Sequence, residues 1–196
     1  MSRYDYTKDW FHWAPEVWQQ LATLLPDRER FLEIGSFEGR SAVWTIENLM
    51  HADAEIICVD TWEGGEEHTN GEMNGAEIRF NHNVSMAKAV NPVVVTKVKE
   101  SSYTALTSLA GQSNFDFVYI DGSHLARDVL SDACLAWPLL KDGGVLVFDD
   151  YLWGPPRDIL HRPKPAVDAF VNIYAEELEI VHCGYQLAVR KTPRTA

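Results

Sequence analysis

The chain has 196 residues, of which 46% are hydrophobic and 23% charged, and a formal net charge of −12. This is ordinary globular composition for one α/β domain large enough to bury a core, and it excludes a disordered chain. The acidic balance disfavours nucleic acid and anionic membrane surfaces as partners and leaves a neutral or cationic small molecule as the expected ligand.

The N-terminal stretch MSRYDYTKDW lacks the apolar core and small-residue cleavage site of a signal peptide, and no segment is long enough for a membrane span. The three cysteines, Cys58, Cys134 and Cys183, show no CxxC spacing and read as small residues of a reduced protein. A cytoplasmic location is the resulting expectation. The aromatic group Trp10, Phe11 and Trp13 is expected to pack over the pocket or to join a subunit interface, so a homo-oligomer stays open.

Residues 14–25 place Val17, Trp18, Leu21, Leu24 and Leu25 on one helical stripe, with Pro15 suited to the first turn. Residues 31–35 (FLEIG) read as a buried strand, and a Gly-containing turn leads into a helix from Gly39 to Met50. A second strand, 54–60, ends in an acid; a helix around Phe80, Val84 and Ala87 precedes a third strand at 92–98. FDFVYID is the fourth strand, followed by a helix carrying Ala126, Leu130, Ala133 and Trp137, and GGVLVFDD is the fifth. Repeated βα units predict a doubly wound, mostly parallel sheet. After a helix opened by Pro165, residues 177–183 and 185–191 are two strands on either side of Gly184, which predicts an antiparallel C-terminal hairpin. The long segments 61–76 and 151–164 both follow strand ends and are placed to form a substrate rim. Within them Trp62, His68, Tyr151, Trp153, Arg157 and His161 are candidates to stack on a ring or gate the pocket. His12, His51, His82 and His182 have no metal-ligand spacing.

The chemistry concentrates at two strand ends, FDFVYIDGSH (115–124) and GGVLVFDDY (143–151), each an apolar run that stops on carboxylates. Ligands of parallel sheets bind beyond the carboxyl ends of the strands. Asp121, Asp149 and Asp150 are therefore expected to meet there, and three crowded acids call for a countercharge. An all-oxygen set suits a hard divalent ion such as Mg2+, Mn2+ or Ca2+; the plainer alternative makes Asp149 and Asp150 loop caps. In FLEIGSFEGRSA the turn from strand to helix presents backbone amides and a positive helix end. Phe37 stands where a dinucleotide fingerprint wants its middle glycine, and Glu33 would repel a pyrophosphate. Glu33 suits instead the amino end of an amino-acid zwitterion whose carboxylate rests on the turn.

With these motifs in view, the chain resembles the S-adenosylmethionine-dependent methyltransferases over roughly residues 30–190, in particular the metal-dependent O-methyltransferases of catechol and macrolide-sugar type. FLEIGSFEGRSA is similar to their first cofactor motif, with Glu33, Gly35, Gly39 and Ser41 at the recurring positions. The resemblance implies a Rossmann-like methyltransferase fold with a seven-stranded sheet, in one domain spanning 1–196, with residues 1–29 as a covering helical segment and 30–190 as the catalytic core. It implies S-adenosylmethionine held by Glu33, Gly35, Ser36, Phe37, Gly39, Ser41, Asp60, Thr61, Trp62, Ser101, Ser102 and Asp121, with Asp60 under the ribose and one of Ser101 and Ser102 on the adenine side. Asp121, Asp149 and Asp150 match the metal ligands, with Mg2+ or another hard divalent ion as cofactor. His124 falls where the catechol enzymes carry a catalytic Lys and some sugar enzymes a His, so His124 or Asp121 is the expected base. IDGSHLARDVLSDACLAWPLLKDGGVLVFDDY is most similar to a branch often found beside sugar-modifying enzymes, and Asp150 departs from the acid-plus-Asn ending of the catechol branch. The implied activity is methyl transfer to a hydroxyl of a small molecule, a sugar or glycosylated metabolite before a catechol. Two rivals stand beside it: a non-catalytic module that binds the same cofactor, and a nicotinamide oxidoreductase, disfavoured by Phe37, Glu33 and the hairpin.

Overall fold

A computed structural model describes residues 3–25, 27–65, 68, 71–112, 114–154 and 158–193. Seven strands form one sheet in the order β3-β2-β1-β4-β5-β7-β6. β1 (Arg30–Ile34), β2 (Glu55–Asp60), β3 (Val94–Lys99), β4 (Phe115–Ile120) and β5 (Leu140–Phe148) run parallel, and β7 (Leu187–Lys191) is inserted antiparallel between β5 and β6 (Leu178–Cys183). The expected doubly wound sheet with its C-terminal hairpin is the fold observed.

Successive strand residues point to opposite faces, and the core divides accordingly. Phe31, Ile56, Cys58, Phe117, Tyr119, Val145 and Val147 face one cluster, completed by Trp18 of α1 (Ala14–Leu21), Ile46 of α2 (Arg40–Asn48) and Phe80 of α3 (Ala76–Lys88). Leu32, Ile34, Ile57, Val59, Val118, Ile120, Leu146 and Phe148 face the other, which holds Leu106 of α4 (Ser102–Ser108), Val129 of α5 (Ala126–Ala136) and Phe170 of α6 (Lys164–Ile173). Central β4 is buried along its whole length, whereas edge strand β3 alternates with solvent, as burial on both faces requires. Trp18 is fully buried and its indole N–H donates to Gln186 Oε1 at 2.8 Å, so the large apolar body comes without an orphaned donor. Trp18→Ala is expected to cost about 3–5 kcal/mol, to be checked by chemical denaturation.

Several boundaries differ from the sequence reading. The first helix stops at Leu21 and tightens into a 3-10 turn over Ala22–Leu24. α4 was not predicted, because its seven residues, SYTALTS, carry little apolar periodicity; the hydroxyl of Ser101 caps it by accepting from the Thr104 amide at 3.2 Å. No described helix is long and apolar enough to cross a membrane.

Chain order reverses between β1 and β4, which makes the crevice beyond their carboxyl ends the natural ligand site. Hydrogen bonds continue the ladder past the strand ends: Gly35 N to Val59 O at 2.8 Å, Asp121 N to Ile34 O at 2.8 Å and Asp149 N to Ile120 O at 3.0 Å. The loops that carry the site are thereby fixed in register with the sheet.

Candidate active site

The turn after β1 is shaped by its own backbone. Gly35 has φ +86°, and a Cβ there would lie 1.9 Å from the carbonyl oxygen of Asp121, so only glycine lets this turn abut the end of β4. Phe37 follows at φ +45°, a conformation that a bulky residue adopts only when its surroundings impose it. Asp60, at the end of β2, supplies that constraint. Its Oδ2 accepts from the amides of Ser36 (2.9 Å) and Phe37 (2.7 Å), and its Oδ1 from the amide of Trp62 (2.6 Å).

Beyond these strand ends lies a cavity of about 510 Å3, the size of a small-molecule site. Gly35, Phe37, Asp60, Thr61, Ser101, Ser102 and Asp121 line it, and so do Asp149, Asp150 and His124. Ser36 and Ser41 line an adjoining recess of about 50 Å3, shared with Gly35, Phe37 and Asp121. Glu33, Gly39 and Trp62 line neither space. Gly39 caps α2 against the Phe80 ring. Trp62 departs from its expected place at the rim: it is buried in the core, at φ +55°, with its indole N–H donating to Phe37 O at 2.7 Å. Glu33 is buried, and its Oε1 has no hydrogen-bond partner.

Of the expected rim, His68 and Trp153 face the cavity. Tyr151 turns away, its hydroxyl donating to Asp168 and accepting from Lys164, and His161 pairs with Asp158. Arg157 lies outside the described residues. Trp10 and Trp13 line the cavity while Phe11 packs against Trp18. His12 is bonded to Asp9 O, and His12, His51, His82 and His182 all lie away from the cavity lining.

The geometry of the acids differs from the expected three-carboxylate set. Ligand atoms of Asp121, His124 and Asp150 lie within 4.8 Å of one another, and His124 Nε2 meets Asp150 Oδ2 at 2.8 Å. Asp149 also lines the cavity but falls outside that group. One of its oxygens receives the Tyr119 hydroxyl and the other the Asp150 amide. Asp150 sits at φ +55°, and Asp149 is buried at the strand end. Tyr119, which sequence reasoning treated only as an apolar strand residue, also reaches Asp121 Oδ2 at 2.9 Å. Tyr185 was equally unforeseen: its hydroxyl donates to Asp150 Oδ1 at 2.7 Å. Two carboxylates and an imidazole can hold a divalent cation, and the nitrogen donor widens the choice beyond the hardest ions toward Mn2+ and its neighbours.

Residues 32–151, which span the turn, Asp60, Asp121 and both strand-end acids, match the family described as a methyltransferase domain. The chain belongs to the methyltransferase domain family. A protein of Acanthamoeba polyphaga mimivirus described only as uncharacterized protein R132 is 27% identical over 172 residues, 82% of this chain and 68% of its own. Among solved structures, the O-methyltransferase TomG from Streptomyces achromogenes in complex with SAM aligns at TM-score 0.66 and 20% identity, covering 91% of this chain and 79% of that one. An O-methyltransferase from Bacillus cereus in complex with SAH aligns at TM-score 0.61 and 16% identity, covering 97% and 84%. At these identities the two structures establish the fold.

Burial raises the pKa of four carboxyls of the methyltransferase domain, two of which, Asp121 and Asp149, line the cavity. Burial pushes Glu33 up to about 7, with Ser36 and Ser41 pulling it down and Asp60 adding to the rise. Burial, then Asp150, lifts Asp149 to about 6; burial lifts Asp132 of α5 to about 6, opposed by Ser102. Asp121 is raised well above its usual range by burial and by Asp149 and Asp150. Between the ordinary carboxylate range and about 7 the folded chain therefore holds more protons than the unfolded chain, so stability falls as pH rises through that window. Without ligands, Tm is expected to be higher at about pH 5 than at about pH 8, with Glu33→Gln flattening part of the slope. Calorimetry across the range checks this, and a flat or rising profile contradicts it.

Proposed function

We propose that the protein transfers a methyl group from S-adenosylmethionine to a hydroxyl of a small molecule, a sugar or glycosylated metabolite, with a divalent cation at Asp121, His124 and Asp150. The observation that carries this reading is the convergence of those three side chains on the cavity that also receives the Gly35 turn and Asp60. The residues fit the cofactor. Gly35 lines both the cavity and the recess that Ser36 and Ser41 open beside it, and the buried Glu33 Oε1 is an acceptor without a partner among the described residues. After accepting three amides Asp60 retains one lone-pair site, on Oδ1, to offer a ribose hydroxyl.

A sulfonium methyl is already activated, so the protein has to orient an oxygen nucleophile in line with it, remove the hydroxyl proton and exclude water. A cation held by Asp121, His124 and Asp150 would supply the charge that lowers the pKa of the acceptor hydroxyl. His124, packed against Trp153 with ring centroids 4.4 Å apart, is oriented by Asp150 and would hold the cation with it through its ring lone pair, which leaves a carboxylate oxygen of Asp121 as the group to take the proton. Tyr119 and Tyr185 each donate to an acid of the group, which sets the carboxylates before any ligand arrives. Trp13, Trp153 and Tyr185 give the acceptor side an aromatic wall suited to a ring.

The test is methyl transfer from labelled S-adenosylmethionine to a panel of hydroxylated acceptors, before and after chelation. Transfer should stop with EDTA and return with Mg2+ or Mn2+, while S-adenosylhomocysteine binding persists throughout. Transfer that survives exhaustive chelation contradicts the cation's role. Binding of S-adenosylhomocysteine without transfer to any acceptor points to the non-catalytic module, and binding of NAD in its place to the oxidoreductase.

A further inference from the structure

The N-terminal segment before α1 is tied across the cofactor turn by a chain of specific polar contacts. Glu38, the residue between Phe37 and Gly39, is 1% exposed and accepts from the Thr7 amide (2.7 Å), the Thr7 hydroxyl (2.6 Å) and Arg79 Nε (2.6 Å). Asn83 of α3, fully buried, completes the seat: it exchanges hydrogen bonds with the Asp5 backbone, 2.8 Å each way, and donates to Glu38 O at 2.9 Å. Arg40 pairs with Asp9 at 3.2 Å and lies over the Tyr6 ring, and Lys8 pairs with Glu72 at 2.7 Å. Buried charged groups are retained at a desolvation cost, and here they fix one segment against one turn. That segment carries Trp10 onto Phe37, stacked at 5.2 Å and 25°. Trp10 remains 47% exposed and lines both the main cavity and the recess, and Lys8 and Phe11 line the recess opposite Gly35, Ser36 and Glu38.

We infer that this N-terminal strap is a wall of the ligand site: Trp10 contacts the bound cofactor beside Phe37, and Glu38 with Thr7 positions that wall against the turn. The inference rests on the S-adenosylmethionine reading above. It assigns roles in binding to residues outside the matched motif stretch and to Glu38, whose carboxylate faces away from the cavity toward Thr7 and Arg79. The strained backbone of Phe37 gives the coupling its mechanism. Asp60 pins the turn from the sheet side and the strap pins it from the solvent side, so an occupied site holds the strap in place and a seated strap slows the ligand's departure.

The probe is S-adenosylhomocysteine, with its affinity measured by calorimetry and the strap followed by amide hydrogen exchange. Trp10→Ala should weaken binding about tenfold or more, as loss of a stacking wall worth roughly 1.4 kcal/mol would. Thr7→Val, which keeps the Glu38–Arg79 pair and removes one hydrogen bond to a carboxylate, should weaken it about three- to tenfold. In the wild type the ligand should slow exchange at the Thr7 amide, which a merely structural strap would not show. Trp10→Ala and Thr7→Val affinities within about twofold of wild type, or Thr7 exchange unmoved by the ligand, overturn the inference. A wild type that fails to bind S-adenosylhomocysteine contradicts the cofactor reading itself, and the strap's role with it.

Discussion

Asp121→Asn should lower methyl transfer by about 10²-fold to 10³-fold and at the same time make the ligand-free protein more stable near neutral pH. The two effects have one cause. Asp121, Asp149 and Asp150 crowd together, and burial with mutual repulsion already drives the Asp121 carboxyl well above its ordinary range. Removing one charge relieves that repulsion, while the Tyr119 hydroxyl keeps an oxygen to bond. The same change removes a charged ligand from the cation group and weakens the orientation of the acceptor. About 1 kcal/mol moves Tm by about 2–4 °C in a domain of this size, so a rise of a few degrees is measurable by calorimetry. An asparagine variant that is both less stable and fully active would remove the acids from the chemistry.

Gly35→Ala is expected to be the most damaging single substitution at the site, by about 3 kcal/mol or more, with loss of S-adenosylhomocysteine binding. The added Cβ would lie 1.9 Å from the Asp121 carbonyl oxygen, 2.4 Å from its carbon and 2.8 Å from Gly122 Cα. All three are backbone atoms of the neighbouring strand end, so nothing flexible can yield. Gly111→Ala separates this contact from conformational strain alone: Gly111 has φ +88° and nothing within 4 Å of the added carbon, which leaves a cost of only about 1–2 kcal/mol. Equal destabilisation of the two variants in urea would show that the close approach of the turn to β4 carries no weight.

The parts of this fold that can be read from the sequence are those with short-range physical causes. Buried strands announce themselves as apolar runs, and the appearance of Asp60, Asp121 and Asp149-Asp150 at their ends marks the ligand edge of the sheet. Gly35 and Gly39 mark a turn for the same local reason. What escaped was decided by tertiary contact. Trp62 reads as a rim aromatic, yet its indole reaches Phe37 O and its ring packs on Phe80 at 5.0 Å. Asp149 and Asp150 differ in their partners, Tyr119 and Tyr185, and Tyr119 is a polar tip hidden inside an apolar run. α4 lacks periodicity and is held by its cap and by packing of Ala105 and Leu106. Glu38 and Asn83, far from Thr7 and Asp5 in sequence, give no local sign of the seat they make for the strap.

Mn2+ titration followed by electron paramagnetic resonance tests the cation group most directly, because it reads the site without needing an acceptor. Wild-type protein should bind one Mn2+ at the Asp121, His124 and Asp150 group, with affinity lowered about tenfold or more by Asp150→Asn and by His124→Ala, and lowered less by Asp149→Asn. Wild-type protein that takes up no Mn2+, or affinity unchanged in Asp150→Asn and His124→Ala, would contradict the account and leave these acids with a purely structural role.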